Sequence, residues 1–277
     1  MTIPDPVLRI AQVRPELGPI VEGVDVVPER IPRDEIPTAR KLLDRDGAVI
    51  LTGWPVEPDS AVNAASAILG TRLRQLEKIH ERTTENTTGT QEAPSSGFLH
   101  RDGAYGVVDI NDQLVQLRIP DPDYILIFCA AVAPAGGESV VIDGYRLIER
   151  LRSSAPELYE FLTTIDVDFT SRNTNPDFPR VPRLCRIVEW TRGGRMILRS
   201  AERAQPMPRD PRWDEHDRLI QAWVDVCETL GAQIRQDTTL APGEVLVVDN
   251  YRCLHGVRRN DGRRTTYILR CKSQDAR

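Results

Sequence analysis

The sequence lacks any apolar run near the roughly 18 residues that a membrane-crossing helix needs. Its opening stretch, MTIPDPVLRIAQVRPELG, is broken by prolines and arginines where a secretory leader requires an apolar core. Both absences predict a chain in a cytoplasmic setting with no membrane partner. An excess of positive charge is missing too. Lys and Arg number 36 against 41 Asp and Glu, a formal net charge of −5, which argues against nucleic-acid binding by phosphate neutralisation. The five cysteines, Cys129, Cys185, Cys227, Cys253 and Cys271, are scattered and form no CxxC. That excludes a zinc ribbon or a disulfide framework and leaves small core residues in a reducing compartment. No repeat, low-complexity tract or linker divides the chain, so residues 1–277 read as one domain, long enough to bury about three quarters of its unfolded surface.

What is present is an alternation of short strands and inserted helices. Residues 32–46 (PRDEIPTARKLLDRD) have amphipathic helical spacing, and Gly47 then opens the apolar strand AVILTG. Asp59 to Leu69 is a second helix, and Glu81 to Gly97, polar and small, reads as a mobile loop, with residues 83–97 a candidate lid. YILIFCAA (124–131) and SVVI (139–142) read as strands joined by a turn. Helices follow at 145–152 and 156–163, then short strands at 185–190 and 195–198. The clearest helix is 214–230, with Leu219, Trp223, Val226, Cys227 and Leu230 along one stripe, and the chain returns to strands at 245–248 and 265–271. The pattern is α+β, built on an antiparallel β sandwich or barrel.

Histidine is scarce, which narrows the search for chemistry to four positions. His80 follows a charged stretch and His216 sits among charges on a helix, so both read as solvated. His100 differs: in Phe98-Leu99-His100-Arg101-Asp102 an extended backbone brings His100 and Asp102 to the same side. The pair alone is a common surface contact. A second feature joins it where the strand VLVV runs into Asp249-Asn250 and on to His255-Gly256. Two imidazoles and one carboxylate on one face of a metal leave the opposite face open, the arrangement of non-haem Fe(II) oxygenases. Near the C-terminus, Arg258, Arg259, Arg263, Arg264 and Arg270 face Asp261 as the only acid between Arg252 and Lys272, a local anion-binding candidate. Arg195 and Arg199 are candidates for holding a substrate carboxylate.

Over most of its length the sequence resembles the Fe(II)/2-oxoglutarate-dependent dioxygenases of the taurine dioxygenase and clavaminate synthase type. The similarity lies in LGPIVEGVD (17–25), DGAVI (46–50), His100-Arg101-Asp102 as an HxD iron motif, Gly136-Gly137-Glu138-Ser139 as the GGxT/S turn, and Asp249-Asn250 leading to the distal histidine His255. The resemblance implies a double-stranded β-helix (jelly-roll) core with flanking helices. It also implies His100, Asp102 and His255 as Fe(II) ligands, O2 as oxidant, and 2-oxoglutarate as co-substrate touched by Ser139. The activity implied is oxidation of a small polar molecule, such as an amino acid or secondary-metabolite intermediate, with release of succinate and CO2. Hydroxylation, desaturation and ring formation all remain open, whereas halogenation is disfavoured because Asp102 keeps the coordination position a halide needs.

One departure stands out. Where relatives carry an arginine for the far carboxylate of 2-oxoglutarate, alignment of the YILRC strand puts Thr266 and retains Arg270. Arg264, Thr266 and Arg270 share one strand face, so Arg264 and Arg270 are both candidates, with the ungapped alignment favouring Arg270. Two other classes compete: a zinc hydrolase using the same three ligands, and a non-enzymatic β sandwich that binds an anion through its C-terminal arginines.

Overall fold

The computed structural model describes residues 23–86, 99–103, 105–118, 120–169, 183–201, 204–234 and 238–276. Its strands are, in order, β1 (Arg30–Pro32), β2 (Ala48–Thr52), β3 (Leu73–Leu76), β4 (His80–Asn86), β5 (Tyr105–Ile110), β6 (Gln113–Arg118), β7 (Tyr124–Ala131), β8 (Ala135–Gly136) and β9 (Ser139–Asp143). The second half adds β10 (Asp166–Asp168), β11 (Leu184–Arg186), β12 (Val188–Trp190), β13 (Met196–Leu198), β14 (Gln205–Pro206), β15 (Val245–Asp249), β16 (Cys253–Val257) and β17 (Asn260–Ser273). Helices are α1 (Ile36–Asp46), α2 (Asp59–Leu69), α3 (Gly144–Ser154), α4 (Pro156–Thr164) and α5 (Trp213–Gln233). None of the described helices is long and apolar enough to cross a membrane.

A large sheet runs β1-β2-β15-β7-β17-β3, with β4 and β8 also paired to β17. Opposite it, β9 and β16 form an antiparallel ladder in which His255 faces Val141. This is an α+β jelly-roll core, and its strands explain their own sequences. Apolar runs such as VLVV in β15 and AVIL in β2 are continuous because both faces of the large sheet are covered. Val245 and Val247 join Val49, Leu51, Leu126, Phe128 and Leu269 under α1 and α2. The alternate residues Leu246 and Val248 join Ala48, Ile50, Cys129, Val141 and Cys253 between the sheets. A third cluster packs α3, α4 and α5 around Trp223, Leu198 and Leu254.

Strand alternation then fixes the polarity of β17. Tyr267, Leu269 and Cys271 face the helices. Arg264, Thr266, Ile268 and Arg270 therefore face the inside of the roll, and Ile268 stands opposite Ile127, which packs on the inner cluster.

Three expectations change. The first helix begins at Ile36, because Arg30–Pro32 pairs in parallel with β2 and Pro37 suits a first helical turn. Residues 81–86 are not a loop: they belong to β4, whose Thr83 and Thr84 stand opposite Thr265 and Arg264 of β17. Polar residues suit this strand because Glu81, Arg82 and Thr83 are exposed; the remainder of the candidate lid, 87–97, lies outside the described residues. Finally, His216 is buried rather than solvated, with Nδ1 2.6 Å from Asp210 Oδ2 and its ring tilted on Phe161. All five cysteines are free, and four of them are buried.

Candidate metal centre

The site is assembled by one antiparallel contact. His100 and His255 pair across an isolated bridge, each backbone N–H donating to the other's carbonyl at 2.9 Å. Directly opposed residues of an antiparallel pair share a face. The imidazoles are thus brought together, with ring centroids 4.7 Å apart and planes at 52°. Asp102, two residues on, returns to the same side with Oδ1 3.8 Å from His100 Nε2. One potential ligand atom from each of the three residues lies within 4.8 Å of the others.

The elements behind the triad hold it tightly. β16 carries His255, which is 5% exposed. Beneath β16, Gly47 caps α1 in the left-handed conformation, and a Cβ there would lie 2.5 Å from Cys253 Sγ. Between His100 and Asp102, Arg101 is buried, forms an ion pair with Asp121 and lies over the Tyr251 ring.

Electrostatics favour a metal at this point. Burial, helped by His100 and Arg270 and opposed by Asp102, pushes His255 down to about 3, so its imidazole is neutral at physiological pH and free to donate a lone pair. His255 Nδ1 is buried with no hydrogen-bond partner among the described residues, a costly state that a ligand relieves. For Asp102, burial opposes ionisation, but His255, Arg270 and His100 outweigh it and hold the carboxyl below its ordinary value.

The two candidate arginines on β17 part company. Arg270 Nε lies 3.2 Å from Asp102 Oδ2. Arg264 is 8% exposed and has no hydrogen bond or ion pair among the described residues. Burial, reinforced by Arg82, draws it below the ordinary arginine value. Its side chain passes Gly137: a Cβ at that glycine would lie 2.9 Å from Arg264 Cδ. Ser139, two residues beyond, is buried on β9 opposite Val257.

Arg195 and Arg199 are occupied elsewhere. Arg195 bridges Asp123 at 2.8 Å and Asp249 at 2.6 Å between the Tyr124 and Tyr251 rings, and Arg199 bonds Glu189 at 3.1 Å and the Arg186 carbonyl. They fasten strands together. Sequence reasoning singled out neither Arg101, whose burial between His100 and Asp102 has no local signature, nor Arg82, which β4 sets opposite Thr266.

Human gamma-butyrobetaine dioxygenase is 25% identical over 142 residues, covering 50% of this chain and 36% of that protein. The mitochondrial trimethyllysine dioxygenase of Bos taurus is 24% identical over 205 residues, covering 66% of this chain and 45% of that one. The chain thus spans less than half the length of these relatives. The crystal structure of AAD-2 in complex with Mn(II) and N-oxalylglycine superposes with a TM-score of 0.60 at 14% identity, covering 87% of each chain, which shows a shared fold. The family model described as taurine catabolism dioxygenase TauD, TfdA family matches residues 10–272, and the chain belongs to that family.

Proposed function

We propose that this chain is a non-haem Fe(II)- and 2-oxoglutarate-dependent oxygenase of a small polar molecule, with His100, Asp102 and His255 holding the metal. The observation that carries the reading is the convergence of two imidazoles and one carboxylate, one potential ligand atom from each within 4.8 Å of the others, together with a buried His255 Nδ1 that has no hydrogen-bond partner among the described residues. Bound Fe(II), with 2-oxoglutarate and O2, supplies the oxidising chemistry, releasing succinate and CO2.

The chain's own residues orient and shield. Three protein ligands leave the remaining positions for co-substrate and oxygen. Arg264 receives the distal carboxylate of 2-oxoglutarate: it is a buried cation with no hydrogen bond or ion pair among the described residues, it lies beside the Gly136-Gly137-Glu138-Ser139 turn, and a planar guanidinium matches a carboxylate in two bonds. Ser139 adds a hydroxyl on the same side. This reverses the preference for Arg270 drawn from the alignment, because Arg270 already serves Asp102. Arg82, exposed on β4 opposite Thr266 and near enough to act on Arg264 through its charge, favours a substrate with a carboxylate, as an amino acid has. Asp102 fills the position a halide needs, so hydroxylation is the expected outcome, with desaturation or cyclisation as variants of the same hydrogen removal.

The test is succinate formation from 2-oxoglutarate by the purified protein, screened against amino acids and related acids. Fe(II)-dependent turnover stimulated by one such compound supports the proposal. Hydrolysis with Zn(II) and no succinate would establish the zinc hydrolase instead.

A further inference from the structure

We infer that Asn250 is a positioning residue that fixes the direction of the Asp102 carboxylate; this rests on the reading of His100, Asp102 and His255 as metal ligands. Asp102 lies outside any strand, and the ladder that aligns the histidines stops at the His100–His255 bridge. The Asn250 side chain takes over where the ladder ends. Its Oδ1 accepts from the Asp102 N–H at 3.1 Å, and its Nδ2 donates to the Asp102 carbonyl at 2.9 Å and to the Pro122 carbonyl at 2.6 Å.

A primary amide has the donor and acceptor of a peptide group, so Asn250 acts on Asp102 as a neighbouring strand residue would. The opposite amide orientation would leave one N–H and two carbonyls facing the wrong partners. Asn250 is 0% exposed, and its own backbone N–H is held by the Asp123 carbonyl at 2.9 Å. It sits in the turn between β15 and β16, five residues before His255. The turn that delivers the distal histidine therefore also anchors the carboxylate ligand. Arg270 completes the hold from the other end, on Oδ2 at 3.2 Å, so backbone and carboxylate are both held by protein groups.

The test is a double-mutant cycle read by Co(II) titration of the metal-free protein, following the visible absorption of the bound ion. The four proteins are wild type, Asn250→Ala, Asp102→Ala and the double variant. Removing a group that orients a metal ligand costs roughly 10–100-fold in metal affinity, and that loss is expected for Asn250→Ala together with a changed Co(II) spectrum. In the Asp102→Ala background the same substitution should change affinity less than about twofold, because coupled residues are not additive. An equal loss in both backgrounds, or wild-type affinity in Asn250→Ala, overturns the inference and leaves the metal site intact. Absence of Co(II) binding by wild type overturns the metal reading and the inference with it. If Asn250→Ala does not fold, Asn250→Ser is read in the same cycle.

Discussion

At the scale of single residues, the two β17 arginines separate by what lies opposite them. Strand parity puts Arg264, Thr266 and Arg270 on one face, so parity leaves the arginines equivalent and only the ungapped alignment prefers Arg270. The distinction appears only when the chain returns Asp102 to within 3.2 Å of Arg270 and leaves Arg264 buried with no hydrogen bond or ion pair among the described residues. Removing one partner of a buried Arg–carboxylate pair costs about 3–5 kcal/mol, so Arg264→Ala should weaken 2-oxoglutarate binding by roughly a hundredfold or more. Lysine at 264 should restore only part of it, since a point charge cannot form the planar fork. Arg270→Ala should instead weaken metal binding first. Equilibrium titrations of 2-oxoglutarate and of Co(II) into each variant check this, and a hundredfold loss of 2-oxoglutarate affinity confined to Arg270→Ala would exchange the two roles. Of the four histidines, the two that the sequence motifs single out, His100 and His255, stand opposite one another in the fold. His216 misled because the acid that buries it, Asp210, belongs to the loop before its helix.

Among the elements, those with a strong apolar period or a continuous apolar run were readable: α2, β7 and α5 fall within a few residues of their sequence patterns. Elements stabilised by a distant partner were not. β4 has no apolar alternation, and its pairing with β17 over 80–86 and 262–268 supplies the backbone bonds that its own sequence does not announce. The β5–β6 hairpin was overlooked although Asn111 and Asp112, both at positive φ, form the two-residue turn such hairpins prefer. Turn glycines give a test at this scale. Gly47 and Gly194 have nearly equal φ, 81° and 80°, but a Cβ at Gly47 meets Cys253 Sγ at 2.5 Å whereas one at Gly194 meets nothing within 4 Å. Left-handed strain alone costs about 1–3 kcal/mol. Gly194→Ala should stay within that range in urea unfolding, and Gly47→Ala should exceed it, because α1 and the strand that carries His255 must also move apart. Equal losses would mean that β16 is not held against the Gly47 turn.

Across the whole molecule, three apolar clusters support one polar seam. The large sheet is covered by α1 and α2 on one face and closed by β9 and β16 on the other, while α5 buttresses the far side through Trp223, which is 0% exposed and donates its Nε1–H to the Arg199 carbonyl at 3.0 Å. Trp223→Ala should cost about 3–5 kcal/mol in denaturant unfolding, and a loss below about 1 kcal/mol would mean that α5 packs more loosely than described. The roll itself could be inferred from short strands and the order of its motifs. The seam could not, because it depends on the register that sets His100 across from His255. In the proposed chemistry that seam holds Fe(II) in a set of ligands open to a keto acid. The most direct test is anaerobic reconstitution with Fe(II) and 2-oxoglutarate, followed by visible absorption. A weak charge-transfer band in the wild type that is absent in His100→Ala and His255→Ala is the predicted result. Stoichiometric Zn(II) binding by the wild type, with no such band and no consumption of 2-oxoglutarate, would contradict it.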